Sequence, residues 1–181
     1  IEISKNDEQL IILSINWTVD NINYRDHFGN TCLTLSCSSG NMNIIKKLIE
    51  HGIDPDIQNN EGYTALMIAC EKKEFNKISV LLLNYDANIY LKNMQNESVL
   101  NIVVTNANIE ILNKLINMDI DVNTYNTEGN NMLQTNIFRF IDRDKHDQVA
   151  HILIDKGINI NWQNKKGFTA LMMVCETKNM T

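Results

Sequence analysis

One twelve-residue sentence recurs along this chain. It is clearest at 59–70, N-N-E-G-Y-T-A-L-M-I-A-C: a turn, a Thr, then an apolar run ending in small residues. Related copies stand at 26–37, 93–104, 126–137 and 164–175. The turn position of the five copies is Gly29, Gly62, Asn96, Gly129 and Gly167, in steps of about 33, 34, 33 and 38 residues. A fixed period of this length constrains the fold more than any other feature. Each unit is one supersecondary element that buries its apolar face only by stacking on a neighbour. Asn96 replaces Gly at one turn, and Asn tolerates a left-handed backbone better than most residues.

The copies resemble ankyrin repeats. The family pattern D-x-x-G-x-T-P-L-H-x-A-A is matched by Thr64-Ala65-Leu66-Met67 and Thr169-Ala170-Leu171-Met172. Thr31-Cys32-Leu33-Thr34, Ser98-Val99-Leu100-Asn101 and Asn131-Met132-Leu133-Gln134 are more divergent copies of that site. The second-helix and hairpin part recurs at 48–54, 115–123 and 153–159. The resemblance implies an all-α solenoid of helix-turn-helix units joined by β-hairpin-like loops. It places one array over 1–181: a partial repeat 1–25, repeats 26–58, 59–92, 93–125 and 126–163, and a partial repeat 164–181. No copy has the Pro or His of T-P-L-H. The missing Pro removes a favoured first helical residue, and the missing His implies fewer bonds between neighbouring turns.

Along the chain, 7–18 reads as a helix with Leu10, Ile11, Ile12 and Ile15 on one face. Thr31–Ser39 reads as an inner helix and 43–51 as an outer one, closed at Gly52. Asp86 and Asp119 stand where later copies need that Gly. The second repeat carries one extra residue within 72–77. The fourth carries about five within 138–147, which would lengthen the inner helix or bulge between helices. Asp142, Asp144 and Asp147 suggest a calcium loop, but Asp147 occupies the position of its Gly and Leu153 that of its final Glu, so a solvated charged turn is favoured. The last copy stops within its turn, leaving Leu171, Met173 and Val174 beside an unfinished edge. The chain is therefore read as a segment of a longer protein.

Composition narrows the function. With 181 residues and a net charge of −6, the chain has no basic stripe to follow a phosphate backbone. No run is long and apolar enough to span a membrane, and the polar 1–7 lacks a signal-peptide core. Heavy use of Asn, Ile and Lys points to an AT-rich genome, such as that of a large DNA virus or a protist. Cys37, Cys70 and Cys175 share one register, where the family has a small buried Ala, and Cys32 sits at the Pro position. No Cys-x-x-Cys pair exists, so the four thiols read as core residues instead of a zinc site or disulfides. His27, His51, His146 and His151 are scattered over different repeats, no nucleophile stands with a base, and no phosphate loop follows a strand. No enzyme, cofactor, metal or small-molecule substrate is expected.

The resemblance assigns partner binding to hairpin tips and to the inner-helix face. Carried over by register, the candidates are His27, Phe28 and Asn30; Asn60, Glu61, Tyr63, Glu71 and Lys72; Met94 and Gln95; Phe138 and Arg139; and Lys165 and Phe168. The aromatics Phe28, Tyr63, Phe138 and Phe168 are the best anchors, because rings and Arg dominate interface energetics; packing on their own hairpins is the alternative. Trp162 is expected to pack between hairpins. Leu115 with Asp121-Val122-Asn123 has the spacing at which an asparaginyl hydroxylase modifies ankyrin proteins, making Asn123 a possible acceptor; an Asn bonding its own turn is the plainer reading. The implied function is a protein–protein interaction module, cytoplasmic or nuclear. The alternatives are the substrate-recognition part of a ubiquitin-ligase adaptor, a structural scaffold, or a regulatory domain of a larger protein.

Overall fold

The computed structural model describes residues 22–137 and 143–178. The helix expected over 7–18 lies outside them. Short inner helices alternate with longer outer ones. The inner set is α1 (Cys32–Ser39), α3 (Ala65–Cys70), α5 (Val99–Thr105), α7 (Met132–Ile137) and α9 (Ala170–Lys178). The outer set is α2 (Met42–Glu50), α4 (Asn76–Asn84), α6 (Ile109–Asn117) and α8 (Arg143–Asp155). Each inner helix packs on the next, and each outer helix on the inner helix before it. No strand forms among the described residues; one isolated bridge joins Tyr125 and Asn131.

The element boundaries follow from local chemistry. Inner helices start where a small polar residue can accept a backbone N–H. Thr31 caps Thr34, Thr64 caps Met67, and the Asn131 Oδ1 accepts from Gln134 N at 3.0 Å. Outer helices α2 and α6 start at Asn41 and Asn108, whose side chains accept from Ile44 and Ile111. Each of the four outer helices is followed by a left-handed residue: Gly52, Asp86, Asp119 or Gly157. At Gly52, the Gly52 N–H reaches Ile49 O and the Ile53 N–H reaches Leu48 O, the paired bonds of a Schellman turn. Asp86 and Gly157 repeat that pairing with Leu83 and Leu82, and with Ile154 and Leu153.

The core runs down the seam between the two helix layers. Leu33, Ile45, Leu48, Leu66, Leu82, Leu100, Ile111, Leu115, Val149 and Leu153 are all buried. On the outer helices these residues recur at three- and four-residue spacing, so one stripe faces inward. Cys37 and Cys70 fill the small positions. Burial pushes both thiols up to about 12, with Cys70 adding to the effect at Cys37. Cys175 departs from the expectation, and so does Cys32: both are exposed. Cys175 lies on α9, which has an inner-helix neighbour on one side alone among the described residues.

The two insertions resolve differently. In the second repeat the extra residue forms a 3₁₀ turn, Lys73–Phe75, and α4 loses the side-chain cap that Asn41 and Asn108 give its neighbours. Phe75 packs instead against Gly40, where a Cβ would collide with its ring. In the fourth repeat, residues 143–147 neither lengthen the inner helix nor bulge. They extend the outer one, so α8 has 13 residues against 9 in α2, α4 and α6. The run has no Gly or Pro to stop a helix, and Asp144 in its first turn complements the helix dipole. Buried Asn136 secures the extra turn: its Nδ2 donates to His146 O at 2.8 Å and its Oδ1 meets His146 Nδ1 at 2.5 Å. Asp144 and Asp147 are exposed.

Candidate functional site: hairpin tips and inner-helix face

Every tip is built by the same device. Asp26, Asn59, Asn93, Asn126 and Asn164 each accept, on Oδ1, the backbone N–H groups two and four residues on. At Asp26, burial works to raise the carboxyl, but the N–H groups of Asn30 and Phe28 outweigh it and hold the group below its usual value. Neighbouring tips are joined by backbone bonds: Asn60 N–H to Phe28 O at 2.9 Å, Met94 N–H to Glu61 O at 3.0 Å, and Lys165 N–H to Glu128 O at 3.3 Å. The approach is close enough that a Cβ on Gly62 would lie 2.8 Å from Asn93 Cα, and Gly62 has φ +82°. A backbone fixed this way leaves the side chains just after each of these Asp or Asn residues free to point outward.

His27, Phe28, Glu61, Met94, Gln95 and Lys165 are indeed exposed. Phe28 is 60% accessible, with its ring centroid 3.8 Å from that of His27. Asn60 is also exposed but is committed to the array: its Nδ2 donates to His27 O, and its Oδ1 accepts from Arg25. Asn30 accepts from Asn59 Nδ2. Tyr63 and Phe168 are half-buried, and Tyr63 packs on the core. Phe138 and Arg139 lie outside the described residues. The Lys72 ammonium sits 5.1 Å from the Phe75 ring centroid.

Two cavities open on this face. The first, of about 260 Å³, is lined by Tyr63, Glu71, Glu97, Ile102, Thr105 and Asn106. The second, of about 490 Å³, brings Lys165 and Phe168 together with Glu128, Asn130, Asn164, Lys166, Met173 and Glu176. Ile102, Asn164, Met173 and Glu176 are among the lining residues absent from the sequence-derived candidates. Glu176 stands in the register of Glu71, counted from the turn residue, and that register could have revealed it. Ile102 and Met173 share another register and carry no polar signal.

A family model described as ankyrin repeats (3 copies) matches residues 3–93. The chain belongs to the ankyrin repeat family. Among its relatives, ankyrin repeat protein L86 of Acanthamoeba polyphaga mimivirus is 28% identical over 92% of this chain and 39% of its own length. Ankyrin repeat protein FPV024 of fowlpox virus is 29% identical over 70% of this chain and 20% of its own. The chain thus spans well under half of these viral relatives. A Saccharomyces cerevisiae protein named as a probable 26S proteasome regulatory subunit, p28, is 26% identical over 84% of this chain and 67% of its own. A crystal structure of an ankyrin repeat domain from Acinetobacter baumannii superposes with a TM-score of 0.82 at 27% identity, covering 96% of this chain and 87% of that one.

Within this ankyrin array, Trp162 ties adjacent hairpins as expected. Its Nε1–H donates to Gly129 O at 2.7 Å, and its ring stacks on Tyr125 with centroids 5.2 Å apart. Asn123 is exposed, but its amide is engaged on both sides: Oδ1 accepts from Asn159 N at 2.8 Å and Nδ2 donates to Gly157 O at 3.4 Å. It therefore braces the next hairpin as well as its own turn, where its N–H bonds Asp121. Among the described residues, no helix is long and apolar enough to cross a membrane, and no three His, Cys, Asp or Glu side chains group as metal ligands.

Proposed function

We propose that this array is a non-catalytic recognition module that binds a partner protein, inside the cell, through its hairpin tips and inner-helix face. The observation that carries the reading is the contrast at each tip: the backbone is held by side-chain and inter-tip hydrogen bonds, while Phe28, Met94 and Lys165 remain exposed. A surface fixed before binding loses little conformational entropy on association. The acidic net charge disfavours nucleic acid as the partner. The repeats divide at 26–58, 59–92, 93–125 and 126–163, with partial copies on either side.

The test is affinity capture from lysate with the chain as bait, beside a bait carrying Phe28→Ala, Met94→Ala and Lys165→Ala. All three side chains are exposed, so the variant keeps its fold, which circular dichroism checks. A protein held by the first bait and lost from the second is the expected result. Equal retention would move the site off the tips. The likeness to p28 supports a second reading, an array serving the protein-degradation machinery, such as the recognition part of a ubiquitin-ligase adaptor. Proteasome or ligase subunits among the captured proteins would favour it. A scaffold that self-associates would instead show a multiple of the chain mass in light scattering.

A further inference from the structure

The smaller cavity is lined by two carboxylates. Glu71 comes from the end of one inner helix and Glu97 from the next hairpin, and both line the same space of about 260 Å³. Among the described residues, neither carboxylate has a Lys, Arg or His within ion-pair distance. Glu97 Oε2 accepts one bond, from Asn93 Nδ2 at 3.3 Å. Lys72, the cation next in sequence to Glu71, lies over the Phe75 ring. Burial pushes the Glu71 carboxyl up in spite of Lys72, and Glu61 adds to that push.

The larger cavity supplies an internal comparison two repeats on: its Asn130, Phe168, Met173 and Glu176 stand in the registers of Tyr63, Glu97, Ile102 and Thr105. There the hairpin contributes Lys165 and Lys166 alongside Glu128 and Glu176. The matching tip positions of the smaller cavity are Met94 and Gln95. The larger cavity has lysines in its wall; the smaller has none, and its Glu71 is open to solvent and to an incoming cation. Its remaining lining suits a cation on an apolar stem: the Tyr63 side chain and Ile102, with the polar Thr105 and Asn106.

We propose that this cavity takes an arginine side chain of the partner protein, with the guanidinium between Glu71 and Glu97 and its methylenes against Tyr63 and Ile102. Arginine suits the site better than lysine. Its planar fork reaches two carboxylates at once and stacks on an aromatic face. The inference rests on the recognition reading above, whose surface it refines.

The test uses the whole 181-residue chain and N-acetyl-arginine amide as the probe, followed by amide chemical shifts. N-acetyl-citrulline amide, its neutral isostere, is the control. Saturable shifts at Tyr63, Ile102, Thr105 and Asn106 with the arginine probe alone are expected, weakening as salt rises. Glu71→Gln with Glu97→Gln should weaken the probe about tenfold, the scale of a lost charge-assisted hydrogen bond, with unchanged circular dichroism. Equal shifts with citrulline, no shifts at these residues, or unchanged affinity in the double variant would overturn the proposal. The same double variant as bait separates the two readings. If the arginine probe fails yet a tip-dependent partner is still captured, this inference falls and recognition stands. If the probe binds but no capture depends on the tips, recognition through the tips falls alone.

Discussion

Asp86 and Asp119 occupy a backbone conformation that L-residues avoid. Their φ angles are 56° and 55°, at the positions where Gly52 and Gly157 close the other outer helices. Asp tolerates this region better than most residues but still bears part of the Cβ–carbonyl clash that Gly escapes. Asp86→Gly should therefore raise the unfolding free energy by about 0.5–1 kcal/mol in urea titration. Asp119→Gly should gain less. Its carboxylate accepts from Lys156 at 2.8 Å, which holds it below its usual pKa, and that exposed pair is lost. Asp119→Gly outperforming Asp86→Gly would mean that backbone strain is not what separates these sites.

Among the elements, the junctions between inner helices differ in how well they are bonded. The absent His of T-P-L-H led to an expectation of weaker ties between turns, and one junction escapes it. Gln134 is fully buried; its Nε2 donates to Phe168 O at 2.6 Å and Trp162 O at 3.4 Å, while its Oε1 accepts from Asn131 N. Asn101 holds the same register with one methylene fewer. Its Oδ1 is taken by the Ser98 N–H and hydroxyl, and its buried Nδ2 has no hydrogen-bond partner. Thr124 Oγ1 is likewise buried and unpartnered, and Thr124 stands before Asn126 as Trp162 stands before Asn164. Both orphans thus belong, by register, to the junction of α5 with the fourth hairpin. Asn101→Gln should stabilise the chain by about 1 kcal/mol in thermal or urea unfolding, by extending the amide to a carbonyl. Gln134→Asn should cost about 1–3 kcal/mol. A destabilising Asn101→Gln would show that the junction is too tight for the added methylene.

For the molecule as a whole, stability adds up through neighbours, since each repeat touches only the units beside it. Helices α3 and α5 are flanked on both sides, whereas α9 leaves Leu171 73% and Met172 48% accessible. Of Leu171, Met173 and Val174, all expected beside that edge, Val174 is half-buried, and Met173 is buried and lines the larger cavity. In hydrogen exchange on the 181-residue chain, amides of α3 and α5 should be the slowest and those of α9 among the fastest, in the order of their neighbours. Uniform protection along the chain would mean that the array unfolds as one unit.

The sequence by itself determined the repeat, the left-handed turn positions including Asn96 at φ 62°, and the small core sites Cys37 and Cys70. These are local demands, because a turn angle or a helical stripe is read from residue identity within a few positions. Tertiary structure alone decided what lies across a repeat junction. It joined Tyr63 to Glu97 in one cavity, let Gln134 reach the next hairpin, turned residues 143–147 into the first turn of α8, and left Cys175 exposed. Residues more than thirty positions apart meet there only because each repeat stacks on the last with a small rotation. That rotation is set by side-chain packing along the whole seam, which no short pattern encodes.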